Sequence, residues 1–223
     1  MHPLIERFSK LIIFRKLKLS EIEELIENNI LYIKEFEKNS IIKSRGEKIE
    51  EVMLLLYGRV KTEMMEIDGK IIQIEEMKAP TIMALGATFS KNSKIPVDII
   101  SEEKTLVAYI TKNKIYDLCM KNKDFLIELI EYMGTKFNFI SQKLWFITLN
   151  SLKDKILYYL KEKMEDKKTE VIDLEYSVEQ LSHLFGVTRP ALSRAFSRLE
   201  HEGIIKKEGN KIYILDKNKI ENI

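Results

Sequence analysis

The spacing of apolar residues changes period twice along the chain, and each change marks a different kind of element. Near the start, "SEIEELIENN" reads as a short helix, because Ser20 and Glu23 form an S-x-x-E capping box. From Leu31 onward the pattern becomes short apolar runs broken by turn residues: "LYIKEF", "EVMLLLYG", "RVKTEMMEI", "KIIQIEEM", "VDIIS" and "TLVAYIT". These runs predict strands, and Asp68-Gly69 between two of them predicts a tight hairpin. Short strands at such intervals fit an antiparallel jelly roll rather than a parallel sheet. After about Lys112 the period lengthens, and Phe125, Leu129, Met133, Phe137, Ile140, Leu144 and Ile147 recur at three- and four-residue intervals. That stripe predicts one long helix whose seam suits pairing with a second helix. Ser151 with Asp154 restarts the helical pattern, with Ile156, Leu157, Leu160 and Met164 on its inner side.

The last third contains a stretch that can be parsed almost residue by residue, "SVEQLSHLFGVTRPALSRAFSRLEHEG". Ser177 and Gln180 form a capping box, Gly186 supplies the left-handed stop, and Thr188 caps a second helix a few residues later. Ala191, Leu192, Ala195, Phe196 and Leu199 face inward on that helix. Two short helices joined so tightly must cross steeply, which is the helix-turn-helix arrangement. Gly209-Asn210 between "IIKKE" and "KIYIL" predicts a hairpin wing. The outward positions of the second helix carry Arg189, Ser193, Arg194 and Arg198. An arginine near a helix start can donate two hydrogen bonds to guanine, and serine or threonine hydroxyls suit phosphate oxygens. Ser177, Thr188, Arg189, Ser193, Arg194, Arg198 and Lys211 are therefore the candidate DNA contacts, with Lys206 and Lys207 beside them on the wing.

Composition narrows the function classes. The 223 residues are 45% hydrophobic and 32% charged, with a net charge of only +2. A global polycation argument thus fails, and the basic character must be local. Between Gly186 and Lys211 there are six basic and three acidic residues, so this stretch holds +3 and the remainder −1. The opening residues contain no long uncharged apolar run, which argues against a signal peptide or membrane span and for the cytoplasm. The single Cys119 excludes an internal disulfide and an all-cysteine iron–sulfur cluster. No GxSxG, phosphate loop or metal-spaced cluster is present, which argues against an enzyme.

The order of strands, long helix and winged helix-turn-helix, and most specifically "VTRPALSRAFSRLEHEGII", resembles the cyclic-AMP receptor protein / fumarate-and-nitrate-reduction regulator (CRP/FNR) family. The resemblance implies an α+β chain: an N-terminal antiparallel β jelly-roll sensor (1–112), a dimerisation helix (113–149) and a winged helix-turn-helix DNA-binding domain (150–223). It implies a homodimer, double-stranded DNA and RNA polymerase as partners. Leu129, Met133, Phe137, Ile140, Leu144 and Ile147 would form the dimer seam. Arg189 matches an arginine that many members place on a guanine, and Ser193-Arg194 matches a serine-arginine pair of the oxygen-responsive branch. Pro190 departs from the family pattern, which often has a base-contacting glutamate there, although proline is tolerated in a first helical turn.

The sensor departs further. Where cyclic-nucleotide binders of this family carry a Gly-Glu pair and an Arg-Ser or Arg-Ala pair, this chain has Ala84-Leu85 and Ile95-Pro96. No arginine lies between Arg59 and Arg189, so a cyclic phosphate would lack its guanidinium, with Lys91 or Lys94 as the candidate substitutes. These departures argue against cyclic AMP and leave the effector unidentified. A haem-based gas sensor is one alternative, with His2, His183, His201 and Cys119 as candidate ligands. A winged helix that docks proteins rather than DNA is another.

Overall fold

The run Glu51–Tyr57, apolar at almost every position, buries both faces of its strand. Val52, Leu54 and Leu56 enter one core, while Met53 and Leu55 enter another. In the computed structural model, which describes residues 3–27, 30–65, 71–149, 151–167 and 169–221, the chain divides into two compact units. The first takes the N-terminal part through Met64 together with Ile74–Ile140, and the second takes Met65–Gln73 with Ser141 onward.

In the first unit, helices α1 (Pro3–Ser9) and α2 (Leu19–Glu27) precede eight strands. The strands are β1 (Leu31–Phe36), β2 (Ile41–Lys43), β3 (Glu51–Tyr57), β4 (Arg59–Met65), β5 (Ile71–Lys78), β6 (Thr81–Met83), β7 (Asp98–Ser101) and β8 (Thr105–Thr111). The short α3 (Leu85–Phe89) interrupts them, and α4 (Lys112–Lys121) and α5 (Lys123–Leu149) follow. Two four-stranded sheets, ordered β1-β8-β3-β6 and β2-β7-β4-β5, make the expected antiparallel β sandwich. Alternation along β8 repeats that of β3, with Val107 and Tyr109 on the inner side and Ala108 and Ile110 on the outer. The outer side is covered by the N-terminal helices and the start of α5, where Phe8, Phe14 and Phe125 meet edge to face at centroid distances of 5.8 and 5.7 Å.

Several expectations change here. Helix α2 begins one residue early, at Leu19, and the expected Ser20/Glu23 box does not close its start; the Glu21 carboxylate accepts the Lys18 N–H at 2.8 Å instead. The helix predicted from about Lys112 is two helices, because Asn122 leaves the helical conformation (φ −134°, ψ 107°). Its Oδ1 then caps α5, accepting the N–H groups of Asp124 and Phe125 at 3.0 and 3.1 Å. Leu129 does not belong to an outer seam. It is buried in the outer core of the sandwich with Phe125 and Tyr132, because 3.6 residues per turn bring these three to one face. The exposed row of the same helix is Leu126, Ile130, Met133, Phe137, Ile140 and Leu144, while Ile147 is half-buried. The Asp68-Gly69 turn and His2 lie outside the described residues.

The second unit holds the end of α5 and all of the elements after it: α6 (Leu152–Lys167), β9 (Val171–Asp173), α7 (Val178–Phe185), α8 (Arg189–His201), β10 (Ile205–Glu208), β11 (Lys211–Ile214) and α9 (Asn218–Glu221). Strands β10, β11 and β9 form one antiparallel sheet, and Ile156, Leu160, Leu181, Phe185, Leu192 and Phe196 are among its buried core residues. The Ser151/Asp154 box closes as expected, the Asp154 N–H donating to Ser151 Oγ and the Ser151 N–H to Asp154 Oδ2, each at 3.2 Å. Two lysines serve the carbonyl ends of helices. Lys155, buried, donates to the carbonyls of Ile147 (2.7 Å) and Phe185 (3.2 Å), and Lys143 donates to that of Leu184 (3.0 Å).

Burial, with the Lys155 charge beside it, pushes the Lys143 ammonium down to about 8 from its ordinary 10.5. Between those values the folded chain binds fewer protons at this group than the unfolded chain, so its contribution to stability increases with pH across that window. Urea denaturation at a series of pH values is expected to show the native protein gaining stability relative to Lys143→Met from about pH 8 upward. Parallel pH profiles for the two proteins would contradict this.

Candidate nucleic-acid interface and barrel cavity

Helix α8 owes its position to its two ends. At the start, Gly186 takes φ 64° and lets α7 stop, and Thr188 Oγ1 accepts the Ala191 N–H at 3.4 Å. Pro190 falls in the first turn, where no intrahelical N–H is needed. At the far end Gly203 takes φ 67°, and the Ile204 N–H reaches the Leu199 carbonyl at 3.0 Å. The Glu200 carboxylate accepts the Lys207 N–H at 2.8 Å, tying the helix to β10. Leu192, Phe196 and Leu199 are buried beneath it, with Ala191 and Ala195 half-buried beside them.

The opposite face is exposed from end to end. Arg189, Ser193 and Ser197 follow one another at four-residue intervals, and Pro190, Arg194 and Arg198 form the neighbouring row. Among the described residues, none of the three arginines has a carboxylate within ion-pair distance. The nearby lysines differ: Lys153 is paired with Glu202, and Lys206 with Glu208 at 2.7 Å. The expected wing is the β10–β11 hairpin, turning at Gly209 (φ 58°) and presenting Lys211 on its exposed side. Ser177 caps α7 in the complete box, with the Gln180 N–H donating to its Oγ (3.2 Å) and its own N–H donating to Gln180 Oε1 (2.9 Å). All seven expected contact residues are thus exposed and in one unit. Ser197, one turn beyond Ser193, joins them; its place on the exposed row could have been found from the four-residue spacing alone.

The first unit contains a cavity of about 380 Å³ between strands of the sandwich, α3 and α5. Ala84, Leu85, Ile95 and Pro96, the positions aligned with the cyclic-nucleotide signature, all line it. Lys91 and Lys94, the suggested substitutes for the missing arginine, do not; both are exposed. The cation that does reach the lining is Lys136, whose ammonium pairs with the Glu75 carboxylate. Its place in the chain gives no sign of this, and only the seating of α5 against β5 turns it toward the cavity. Among the described residues, those lining the cavity include no histidine or cysteine, so none of the expected haem ligands reaches it. Cys119 lies in α4, where burial pushes its thiol pKa up and disfavours the thiolate that binds metals. His183 and His201 are in the second unit, on α7 and α8. Among the described residues no helix is long and apolar enough to cross a membrane, and no three His, Cys, Asp or Glu residues converge as a metal site.

Known families and structures agree with this architecture. A cyclic nucleotide-binding domain matches residues 33–122, and a Crp-like helix-turn-helix domain matches residues 155–223. No curated protein matches the chain. Among solved structures, a transcriptional regulator from Thermotoga maritima is 31% identical, with 58% of this chain and 98% of that one covered at a TM-score of 0.51. A putative transcriptional regulator of the crp/fnr family from Eubacterium rectale is 21% identical, with 94% and 96% covered and a TM-score of 0.66. The c-di-GMP responsive global regulator CLP of Xanthomonas campestris is 13% identical, with 89% and 100% covered and a TM-score of 0.70, a similarity of fold. The chain belongs to the CRP/FNR family and is a transcription regulator with a helix-turn-helix DNA-binding domain.

Proposed function

We propose that the chain acts in the cytoplasm as a homodimer on a pseudo-palindromic DNA operator, as a regulator rather than an enzyme, controlled by an effector held in the first unit. The exposed, unpaired arginine face of α8 carries this reading. Arg189 reads a base edge in the major groove; Ser193, Arg194, Ser197 and Arg198 contact bases or backbone along the same face; and Ser177, Thr188 and Lys211 hold phosphates. Pro190 offers no acceptor to a cytosine amino group, so the operator differs from that of cyclic-AMP receptor proteins at one base pair. RNA polymerase is the partner such a regulator would engage at a promoter.

Dimerisation is supported by the exposed row Leu126, Ile130, Met133, Phe137, Ile140 and Leu144, which steps by four and three residues in strict alternation. That is the spacing of a two-helix seam. Two recognition helices related by a two-fold axis would meet half-sites about 34–36 Å apart, one turn of DNA.

A selection from random duplexes followed by footprinting is expected to return an inverted repeat with that spacing. A single asymmetric site bound by a monomer, or no salt-dependent duplex binding, would refute the proposal; the latter would favour a protein-docking winged helix. Arg189→Ala is expected to cost about 1–3 kcal/mol on the operator and relax preference at one base pair, whereas Lys211→Ala weakens specific and random DNA alike. Ile130→Glu with Leu144→Glu is expected to convert the dimer to a monomer in sedimentation velocity, with the far-ultraviolet circular dichroism of the chain retained.

A further inference from the structure

The cavity of the first unit has a chemistry of its own. Its volume of about 380 Å³ falls within the range of about 300–1,000 Å³ typical of small-molecule sites. Its walls are mainly aliphatic and aromatic, with Met77, Ile82 and Ile99 from the sandwich, Leu85 from α3 and Met133 and Phe137 from α5. Four polar side chains reach the lining, Thr62, Glu75, Tyr132 and Lys136, and each is already partnered within the protein. Thr62 Oγ1 donates to the Glu75 carbonyl at 3.3 Å and accepts the Glu75 N–H at 3.1 Å. The Tyr132 hydroxyl donates to the Ile82 carbonyl at 2.6 Å. The Lys136 ammonium is paired with Glu75 and lies 5.6 Å from the centre of the Tyr132 ring.

The electrostatic balance of the lining is therefore closed. An anionic ligand would have to share Lys136 with Glu75, whose carboxylate already neutralises the ammonium, and would bring a second negative charge beside that carboxylate. A cationic ligand would meet the mirror problem. A cyclic nucleotide would bring a phosphate charge and several hydroxyl groups into a wall with no arginine and no free polar side chain, and would lose hydration with nothing in return. An uncharged apolar molecule loses little on leaving water and breaks no pair on entering.

We propose that this cavity takes an uncharged, predominantly apolar small molecule, and that the Lys136–Glu75 pair stays intact in its wall rather than contacting a ligand charge. The proposal rests on the reading of the first unit as the sensor and adds the chemical class of what is sensed.

The test is a fluorescence titration of the full chain with N-phenyl-1-naphthylamine, an uncharged apolar probe. A saturable rise in emission with one site per chain is expected. Cyclic AMP in excess leaves it unchanged, and Lys136→Gln alters affinity by less than about fivefold, because no ligand charge depends on the lysine. Ala87→Trp and Val97→Trp, which fill the cavity from different walls, are each expected to weaken binding more than about tenfold, with folding checked by circular dichroism. The proposal is overturned by absence of saturable binding, by displacement with cyclic AMP, by a loss greater than about fivefold in Lys136→Gln, or by indifference to both filling substitutions in folded protein. Duplex binding measured on the same preparations separates the two readings. Lost DNA binding with intact probe binding refutes the regulator proposal, and the converse refutes only the ligand class.

Discussion

Helix α5 has to satisfy two apolar surfaces at once, and the two-sided demand organises the first unit. Phe125, Leu129 and Tyr132 complete the outer core of the sandwich, while Leu126 and Ile130 are exposed beside them and Met133 and Phe137 reach the rim of the cavity. A straight helix can do both only because the two rows are one residue out of phase, which at 100° per residue places them on different faces. The inner row is fixed by more than contact area. Arg15 holds the buried Glu128 carboxylate through Nε at 3.0 Å and Nη2 at 2.9 Å, and the Tyr132 hydroxyl is bound to the Ile82 carbonyl. Those polar contacts set the rotation of the helix, and the rotation decides which residues remain outside.

The elements most legible in the sequence were those whose signal is local. Both capping boxes from Ser151 and Ser177, the left-handed stop at Gly186, and the wing around Gly209 depend on residues within a few positions of each other. The strands β3 and β8 were legible for a different reason, since burial on both faces leaves an unbroken apolar run. The three-residue strands β2 and β6 carry too few positions for any period to show.

What stayed hidden depended on tertiary placement. Periodicity gave one stripe from Phe125 to Ile147, yet the first two residues of that stripe are core and the next four are exposed or partly so. Nothing in the local pattern separates them, because both rows are apolar. Lys136 was hidden for the same reason: its character depends on Glu75, sixty-one positions away. The helix break at Asn122 was visible only in retrospect, as an Asn flanked by lysines with no proline or glycine to announce it.

The bond from the Glu200 carboxylate to the Lys207 N–H ties the last turn of the recognition helix to the first strand of the wing. Under the proposed function, the groups that would face bases and those that would face the backbone are thereby mounted on one piece. A shift of α8 in a groove would drag the wing with it, so substitutions that re-aim one would disturb the other. Sequence preference and overall grip on DNA are in this sense geared together, and a lineage adapting to a new operator would have to alter both or loosen this one clasp.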